Sequence, residues 1–264
     1  MHYGNLQPTR ADLEKVFRLK YGDPQTTGWS PKMRFRFGYF TPDDFYEALV
    51  SNLVNEGYTW IDVGSGKGMF PHNKNLSRVL AGRCAILVGL DPCDNLDKNP
   101  FLHQRVQGTI ESFHSEHSFD LATLRMVAEH IANPELAALA LSRLIKPGGK
   151  VIIYTVNKWS PITIISRIIP FRLHYPMLKL INHNVAEEDV FPTAYKMNTR
   201  KQLLNLFQKS GFKECYFAYL DDSRLFYNFR TLHLLELLLW RLLKAIGISY
   251  PENCLIGIYE KIEQ

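Results

Sequence analysis

The sequence predicts an α/β fold in which a doubly wound, mostly parallel sheet carries helices on both faces. Short apolar runs alternate with segments of helical periodicity through the middle of the chain, as expected for such a sheet. One run ends in the glycine cluster Gly64-Ser65-Gly66-Lys67-Gly68, where a strand can turn tightly into a helix. The chain has 264 residues, 46% of them hydrophobic, enough to bury a large core without disulfides or metals. We therefore expect a single domain over residues 1–264.

The individual elements follow from apolar spacing and from residues that end helices. Strands are predicted at Tyr58–Val63, Cys84–Leu90, Phe119–Leu124, Lys150–Val156, Cys215–Leu220 and Cys254–Tyr259. Helices are predicted around Leu76–Leu80, from Pro134 to about Ile145, and from Thr199 to Ser210. The second helix is predicted to end at Lys146-Pro147-Gly148-Gly149, because a lysine is favourable near a helix C-terminus and proline and glycine end helices. An apolar, amphipathic stretch, Leu225–Ile246, separates the last two strands.

Two segments interrupt this alternation, residues 1–50 and 158–198, and both are rich in Tyr, Phe, Arg, His and Pro. In doubly wound folds, ligands bind beyond the carboxyl ends of the strands. The second segment leaves the end of a strand, so it is well placed to cover that crevice. We predict that residues 1–50 form a lid or cap, and that residues 158–198, with His174 and His183, form a substrate-side insertion.

The glycine cluster limits the class of ligand. A Walker-type phosphate loop requires Ser or Thr after its Gly-Lys, whereas Lys67 is followed by Gly68. A dinucleotide fingerprint requires its third glycine at the position of Met69. The remaining pattern is acidic-x-Gly-x-Gly-x-Gly, beginning at Asp62.

Four motifs, in this order, resemble those of the class I S-adenosylmethionine-dependent methyltransferases. They are Asp62–Gly68, Gly89-Leu90-Asp91, Phe119–Ala122 and Leu144–Val151. The resemblance is concentrated between Tyr58 and Asn157. It implies a Rossmann-like sheet of seven strands with helical lid or insertion segments, S-adenosylmethionine as cofactor, and S-adenosylhomocysteine as product.

The resemblance also implies which residues contact the cofactor. Asp62 would hold the cationic amino end, and Asp91 would accept both ribose hydroxyls. A helix N-cap for Asp62 and an Asp-Pro turn for Asp91 are the structural alternatives. The predicted cofactor residues are Asp62, Gly64, Ser65, Gly66, Gly68, Asp91, Pro92, Thr109 and Ile110 (at the adenine), and Leu124 and Arg125 (at the methionine end).

His130 is the candidate general base, because it follows the fourth strand in a loop that faces the transferable methyl in this fold. A histidine near its ordinary pKa can accept a hydroxyl proton; alternatively, it packs the start of the next helix. Glu129 would either orient His130 or form an ion pair on the surface. The predicted site contains no metal, because no cluster of His and carboxylates has ligand spacing.

Arg34-Phe35-Arg36-Phe37-Gly38-Tyr39-Phe40 alternates cations with aromatic residues. This pattern predicts either the strand-like edge of a lid, with arginines that grip an anionic substrate, or a surface that stacks on RNA bases. The candidate substrate residues are Arg34, Arg36, Tyr39, His130 and Tyr195.

The net charge of +5 is a mild bias over this length and does not by itself indicate nucleic acid. Residues 1–10 lack the apolar core of a signal peptide, and Leu232–Ile248 is interrupted by Glu236, Arg241 and Lys244, so we expect a cytoplasmic protein without a transmembrane segment. The leucine stripe of that stretch would pack in a core or dimer, or contact a membrane surface.

The expected activity is O-methylation of a small-molecule acceptor. The alternatives are an RNA or protein methyltransferase and an inactive methyltransferase-like binding protein.

Overall fold

The computed structural model describes residues 6–169 and 192–263, so His174 and His183 lie outside the described residues. The strands are β1 (Thr59–Val63), β2 (Ile86–Asp91), β3 (Gln104–Gln107), β4 (Phe119–Arg125), β5 (Ile145–Val156), β6 (Phe212–Leu220) and β7 (Cys254–Lys261). The helices are α1 (Arg10–Tyr21), α2 (Trp29–Phe37), α3 (Pro42–Leu53), α4 (Lys74–Arg83), α5 (Pro134–Leu144), α6 (Pro161–Ile168), α7 (Arg200–Lys209) and α8 (Arg230–Ala245).

The seven strands form one sheet in the order β3-β2-β1-β4-β5-β7-β6. Strands β1 to β5 pair in parallel, and β7 runs antiparallel to both β5 and β6. The predicted seven-stranded, mostly parallel sheet is therefore confirmed. The chain leaves β1 toward β2 and β3 and then returns to the other side of β1 as β4. The carboxyl ends of β1 and β4 thus flank the point where the strand order reverses, which is where ligands bind in open α/β sheets.

Successive residues of the strands alternate between two hydrophobic cores, one on each face of the sheet. Trp60 packs in the core that also contains Val16 of α1 and Tyr46 of α3. Ile61, the next residue, packs in the core that contains Leu141 of α5 and Leu203 of α7. Helices consequently cover both faces, as the sequence predicts, and α1 and α3 from the expected N-terminal cap contribute directly to one core.

The predicted strand-like edge at Arg34–Phe40 is wrong, because Trp29–Phe37 is the helix α2. Gly38 ends that helix in the left-handed conformation, with φ of 70°. Arg34 is buried: it forms an ion pair with Asp44 at 3.2 Å, and its guanidinium lies over the ring of Tyr21. The alternation of cations and aromatic residues predicts a strand, but the helix forms because Arg34 is buried against α1 and α3. The alternating surface required for RNA stacking therefore does not form.

Strand β5 begins at Ile145, five residues before the predicted Lys150, so the Lys-Pro-Gly-Gly segment lies within the strand. A register shift between Phe119 and Leu121 on β4 accommodates this irregular start. Gly149 is required there, because an added Cβ would lie 3.1 Å from the carbonyl oxygen of Asp120 and 2.8 Å from the Ile145 side chain. The breaker residues therefore mark a bulged strand start as well as the end of α5.

Candidate cofactor and substrate site

The glycine turn lies against the end of β2 and the loop that follows β4. The N–H of Gly64 donates to the carbonyl oxygen of Leu90 at 2.7 Å. Gly64 has φ of 70°, and a Cβ at this position would lie 2.1 Å from Cγ2 of Val127. Gly66 also has a positive φ, 43°. Both the backbone conformation and the close approach of Val127 therefore require glycine at position 64.

Asp91 connects the end of β2 to the glycine turn. One carboxylate oxygen accepts from the N–H of Gly66 at 2.9 Å, and the other accepts from the N–H of Cys93 at 2.9 Å. Each carboxylate oxygen has a second lone pair, so both retain capacity for hydroxyl donors. The Asp-Pro turn and a hydroxyl-binding role are thus compatible in one side chain.

Asp62 is buried, and its orientation is set by neighbouring strands. The indole N–H of Trp60 donates to Oγ1 of Thr123 at 2.8 Å, and the Thr123 hydroxyl in turn donates to Asp62 at 2.6 Å. Burial raises the pKa of Asp62 to about 6, although the hydrogen bond from Thr123 opposes the shift. A buried carboxylate with a raised pKa gains from an adjacent cationic ligand.

The other predicted cofactor residues surround the same turn. Ser65 is buried, and its hydroxyl accepts from the side-chain amide of Asn99 at 3.2 Å. A Cβ added to Gly68 would meet no atom within 4 Å, so space is open beside the turn. Pro92 is exposed, with its carbonyl accepting from Gln107 at 3.2 Å.

The segment after β3 lies beside Asp91, as the predicted adenine contact requires. The N–H of Gly108 donates to the Asp91 carbonyl oxygen at 2.9 Å. In the next two residues, Thr109 is exposed and Ile110 is buried. Their adenine contact remains a prediction.

Leu124 and Arg125, predicted at the methionine end, have different surroundings. Leu124 is buried within a hydrophobic core. Arg125 donates to Asp43 of α3 at 2.9 Å, and Arg224, after β6, donates to the other oxygen of Asp43 at 3.0 Å. Burial opposes ionisation of Asp43, but the two arginines outweigh it and hold its pKa well below its usual range. Arg224 also pairs with Asp222 at 2.7 Å. We name Asp43, Arg125, Arg224 and Asp222 the Asp43 charge cluster.

The loop after β4 contains a strained residue next to the glycine turn. Met126 has φ of 52°, a conformation that costs a non-glycine residue on the order of 1–3 kcal/mol and is found at functional sites. Its N–H donates to the Tyr154 carbonyl oxygen at 2.8 Å.

His130 lies in the same loop, and its Nδ1 is 2.8 Å from the Pro192 carbonyl oxygen. Since a carbonyl only accepts, Nδ1 carries the proton, and Nε2 is the basic nitrogen of the neutral ring.

Glu129 is buried rather than in a surface ion pair. Its carboxylate accepts from the Thr155 hydroxyl at 2.7 Å, and burial raises its pKa. Its backbone carbonyl accepts from Ala194 at 2.7 Å and from Tyr195 at 3.2 Å. These two hydrogen bonds hold residues 194–195 of the segment 158–198 against the loop that contains His130.

The three candidate substrate residues near α2 do not share one surface. Arg34 is paired with Asp44, and Arg36 is exposed. Tyr39 is buried; its hydroxyl accepts from the Ser223 N–H at 2.9 Å and donates to the Asp221 carbonyl oxygen at 3.2 Å. Tyr39 thus joins the α2–α3 connection to the end of β6.

Comparison with known proteins decides the family. A family model described as a methyltransferase domain matches residues 35–214. The protein belongs to this methyltransferase family. It is an S-adenosylmethionine-dependent methyltransferase, and S-adenosylmethionine is its cofactor.

Curated relatives of the methyltransferase share a limited region. The ubiquinone biosynthesis O-methyltransferase of Coxiella burnetii is 25% identical over 162 residues, which cover 58% of this chain and 67% of that protein. The mitochondrial enzyme of the same name from Dictyostelium discoideum is 33% identical over 126 residues, 40% of this chain and 38% of that protein. The matched region thus spans from about a third to two thirds of these relatives.

Solved structures confirm the fold. An S-adenosylmethionine-dependent methyltransferase from Mesorhizobium loti superposes with a TM-score of 0.55 at 15% identity, over 84% of this chain and 98% of that one. The YcgJ protein of a Bacillus species gives a TM-score of 0.51 at 15% identity, over 83% and 98% of the two chains. At this identity the similarity concerns the architecture of the methyltransferase.

The residues of the glycine turn fit the cofactor. S-adenosylmethionine presents a cationic amino group, a sulfonium and two ribose hydroxyls. The strand end before the turn offers the buried carboxylate of Asp62, and the end of β2 offers the carboxylate of Asp91, which retains lone pairs for further donors. The open space at Gly68 lies in the same turn. These complementary groups make this edge of the sheet the candidate cofactor site.

Several residues of the site were not identified from sequence. Asn99 supports Ser65, Thr123 orients Asp62, and Asp43 joins Arg125 to Arg224. Thr123 alone had an available signal, since a polar residue in the apolar strand β4 needs a buried partner. The others lie in loops or helix starts, where polar residues are ordinary.

Three further observations concern the described part of the methyltransferase. No helix within residues 6–169 or 192–263 has the length and apolarity to cross a membrane. The same ranges contain no group of three His, Cys, Asp or Glu side chains arranged to hold a metal ion. A cleft of about 570 Å³ opens beside Phe40, Tyr219 and Trp240, and none of the predicted cofactor residues lines it.

Proposed function

We propose that this methyltransferase methylates a hydroxyl oxygen of a small-molecule acceptor. The cofactor supplies a methyl group that is already activated for displacement, so the protein must align the acceptor and remove its proton. The O-methyltransferase names of the relatives from Coxiella and Dictyostelium support oxygen as the acceptor atom. A residue able to take up the hydroxyl proton is then the central requirement.

The tautomer of His130 carries this proposal. Its Nδ1–H donates to the Pro192 carbonyl at 2.8 Å, which leaves Nε2 as the basic nitrogen and restrains rotation of the ring. Val127, three residues earlier, contacts the glycine turn at Gly64, so the loop of His130 begins at the proposed cofactor site. In this arrangement Nε2 of His130 accepts the proton of the acceptor hydroxyl as the methyl group is transferred.

The remaining proposed roles follow the chemistry of the cofactor. The Asp91 carboxylate accepts from the ribose hydroxyls, and the Asp62 carboxylate pairs with the amino group. Residues 194–195 lie beside the acceptor, supported by the bonds of Ala194 and Tyr195 to the Glu129 backbone. Charged hydrogen bonds of the kind assigned to Asp91 contribute about 1.5–3 kcal/mol each, which corresponds to at least a tenfold loss of affinity on truncation.

Calorimetry with S-adenosylmethionine tests the cofactor site. Asp91→Ala is expected to weaken binding at least tenfold, and Asp94→Ala, which removes an exposed carboxylate three residues later, is the matched control with unchanged affinity. Equal affinity of the wild type and Asp91→Ala would contradict the assigned role of Asp91.

A pH–rate profile tests the base. On a panel of phenolic acceptors, His130→Ala is expected to lower the rate about 10²–10⁴-fold and to remove the limb that reports histidine ionisation. His114→Ala, at an exposed position, should leave rate and profile unchanged. An unaltered profile in His130→Ala, on an acceptor that the wild type methylates, would exclude His130 as the base.

A further inference from the structure

Helix α8 exposes most of its leucines to solvent and buries His233 and Glu236 against the protein. The exposed large aliphatic residues of α8 and its C-cap, each between 44% and 60% exposed, are Leu232, Leu235, Leu238, Leu239, Leu242 and Ile246. The buried residues are His233, Glu236, Leu237 and Trp240. A surface helix of a globular protein normally has the opposite arrangement. This face is therefore suited to an apolar neighbour.

Buried polar contacts hold α8 in this rotation. The Glu236 carboxylate accepts from the N–H groups of Leu225 at 3.1 Å and Phe226 at 3.3 Å. The His233 ring bonds to that carboxylate at 3.2 Å on one side and to the Ser30 hydroxyl at 3.2 Å on the other. Rotating the leucines inward would leave these buried groups unpaired, which is unfavourable. The outward leucines are thus a stable feature of the fold.

The charge of this surface has one sign. Arg230, Arg241 and Lys244 are exposed on α8, and the only carboxylate between positions 224 and 250, that of Glu236, is buried. Cations beside an exposed aliphatic face complement an interface that is apolar in depth and anionic at its surface.

Helix α6 shows the same combination. Ile162, Ile165 and Ile168 are 50%, 57% and 78% exposed. Arg167 lies among them, and residues 157–169 include no Asp or Glu. Two separate helices of the described chain therefore combine exposed aliphatic residues with positive charge.

Both helices arise at the edge of the sheet that carries the candidate site. Helix α6 follows β5, and α8 connects β6 to β7. Because β7 is antiparallel to both neighbours, β5 and β6 end, and β7 begins, at the same edge. Arg224 of the Asp43 charge cluster is followed directly by Leu225 and Phe226, which are 56% and 38% exposed. The apolar surface thus borders the candidate site.

We propose that the exposed faces of α6 and α8 dock on the surface of a membrane that contains anionic lipid. The aliphatic side chains enter the boundary between headgroups and acyl chains, while Arg230, Arg241 and Lys244 meet the lipid phosphates. A second copy of the chain is a poorer occupant, because two-fold pairing places like surfaces together and α8 exposes no carboxylate to neutralise its cations. Docking does not depend on the acceptor proposed above.

Vesicle co-sedimentation of the full chain tests the docking surface, with phosphatidylcholine vesicles that contain 0% or about 30% phosphatidylglycerol. The wild type is expected to bind the anionic vesicles, more weakly as salt rises. Leu235→Asp with Leu242→Asp should abolish binding. Leu136→Asp with Leu139→Asp is the matched control with retained binding, since these α5 leucines are 52% and 50% exposed.

A second pair of variants tests the charges. Arg241→Gln with Lys244→Gln should weaken binding to anionic vesicles about 25-fold, because each basic residue near an anionic surface contributes ~1 kcal/mol. Arg143→Gln with Lys209→Gln removes two exposed cations elsewhere and should leave binding unchanged. Circular dichroism checks that each variant is folded.

Two results would overturn the docking proposal. The first is that the wild type does not sediment with anionic vesicles. The second is that the wild type forms a dimer in light scattering, that Leu235→Asp with Leu242→Asp dissociates this dimer, and that the wild type binds no vesicles. Calorimetry with S-adenosylmethionine on the same samples is independent of lipid. Loss of vesicle binding with intact cofactor affinity therefore counts against docking alone, and the converse counts against the cofactor site alone.

Discussion

Replacement of Gly64 by alanine is the sharpest test of the glycine turn. Gly64 has φ of 70°, and an added Cβ would lie 2.1 Å from Cγ2 of Val127. The substitution therefore introduces two separable penalties, a backbone conformation that disfavours a Cβ and a steric overlap with the loop that carries His130.

The two penalties have different magnitudes and different controls. The left-handed conformation costs about 1–2 kcal/mol for a residue with a Cβ, and overpacking costs about 1–3 kcal/mol. Gly64→Ala is thus expected to lower the free energy of unfolding by about 2–5 kcal/mol. Gly57→Ala isolates the conformational penalty, because Gly57 has φ of 78° and no atom within 4 Å of an added Cβ.

Chemical denaturation of the wild type, Gly64→Ala, Val127→Ala and the pair Gly64→Ala with Val127→Ala completes a double-mutant cycle, and Gly57→Ala is measured beside it as the control. Truncation of Val127 removes both γ-carbons, so the pair should recover about 1–3 kcal/mol relative to the additive sum. Cofactor calorimetry should show weaker binding by Gly64→Ala. Equal costs for Gly64→Ala and Gly57→Ala, with no coupling to Val127, would refute the close packing of the turn against this loop.

Three further substitutions test the surroundings of the site. Asp62→Asn should weaken S-adenosylmethionine binding yet raise the free energy of unfolding by up to about 3 kcal/mol at pH 8, because the pKa of Asp62 rises from 3.8 to about 6 on folding. The cost of ionising the buried carboxyl develops between those two pH values. If thermal melts above pH 6 show no gain in stability for Asp62→Asn, the raised pKa is contradicted. Asp43→Asn should cost about 3–5 kcal/mol, because it removes the carboxylate that pairs with Arg125 and one of the two carboxylates that pair with Arg224. Since the pKa of Asp43 is lowered on folding, the wild type itself should lose this stabilisation as pH falls below about 4. An unchanged melting temperature of Asp43→Asn, compared with the exposed Asp97→Asn, would be the contrary result. Tyr39→Phe should cost about 1–3 kcal/mol by leaving the Ser223 N–H unpaired with cofactor affinity unaltered, and a loss of affinity would instead connect Tyr39 to the site.

Local patterns were sufficient for much of the fold. The alternation of apolar runs and the breakers at Gly148 and Gly149 predicted the order of strands and helices, because periodicity and backbone sterics act over a few residues. The glycine motif from Asp62 to Gly68 is likewise contiguous, and its resemblance, together with three later motifs, to the class I methyltransferases implied the cofactor. The predicted boundary of β5 was late because a β-bulge depends on the register with β4, which is not encoded within the strand itself.

Contacts between residues that lie far apart in the chain could be read only from the tertiary structure. Asp43, Arg125 and Arg224 form one charge cluster although 82 and 181 residues separate the bonded pairs, and Arg34 is buried because Asp44 neutralises it. The leucine stripe of α8 was visible in the sequence, but its outward direction was not. An amphipathic period defines two faces of a helix, whereas the buried contacts of His233 and Glu236 determine which of them meets solvent.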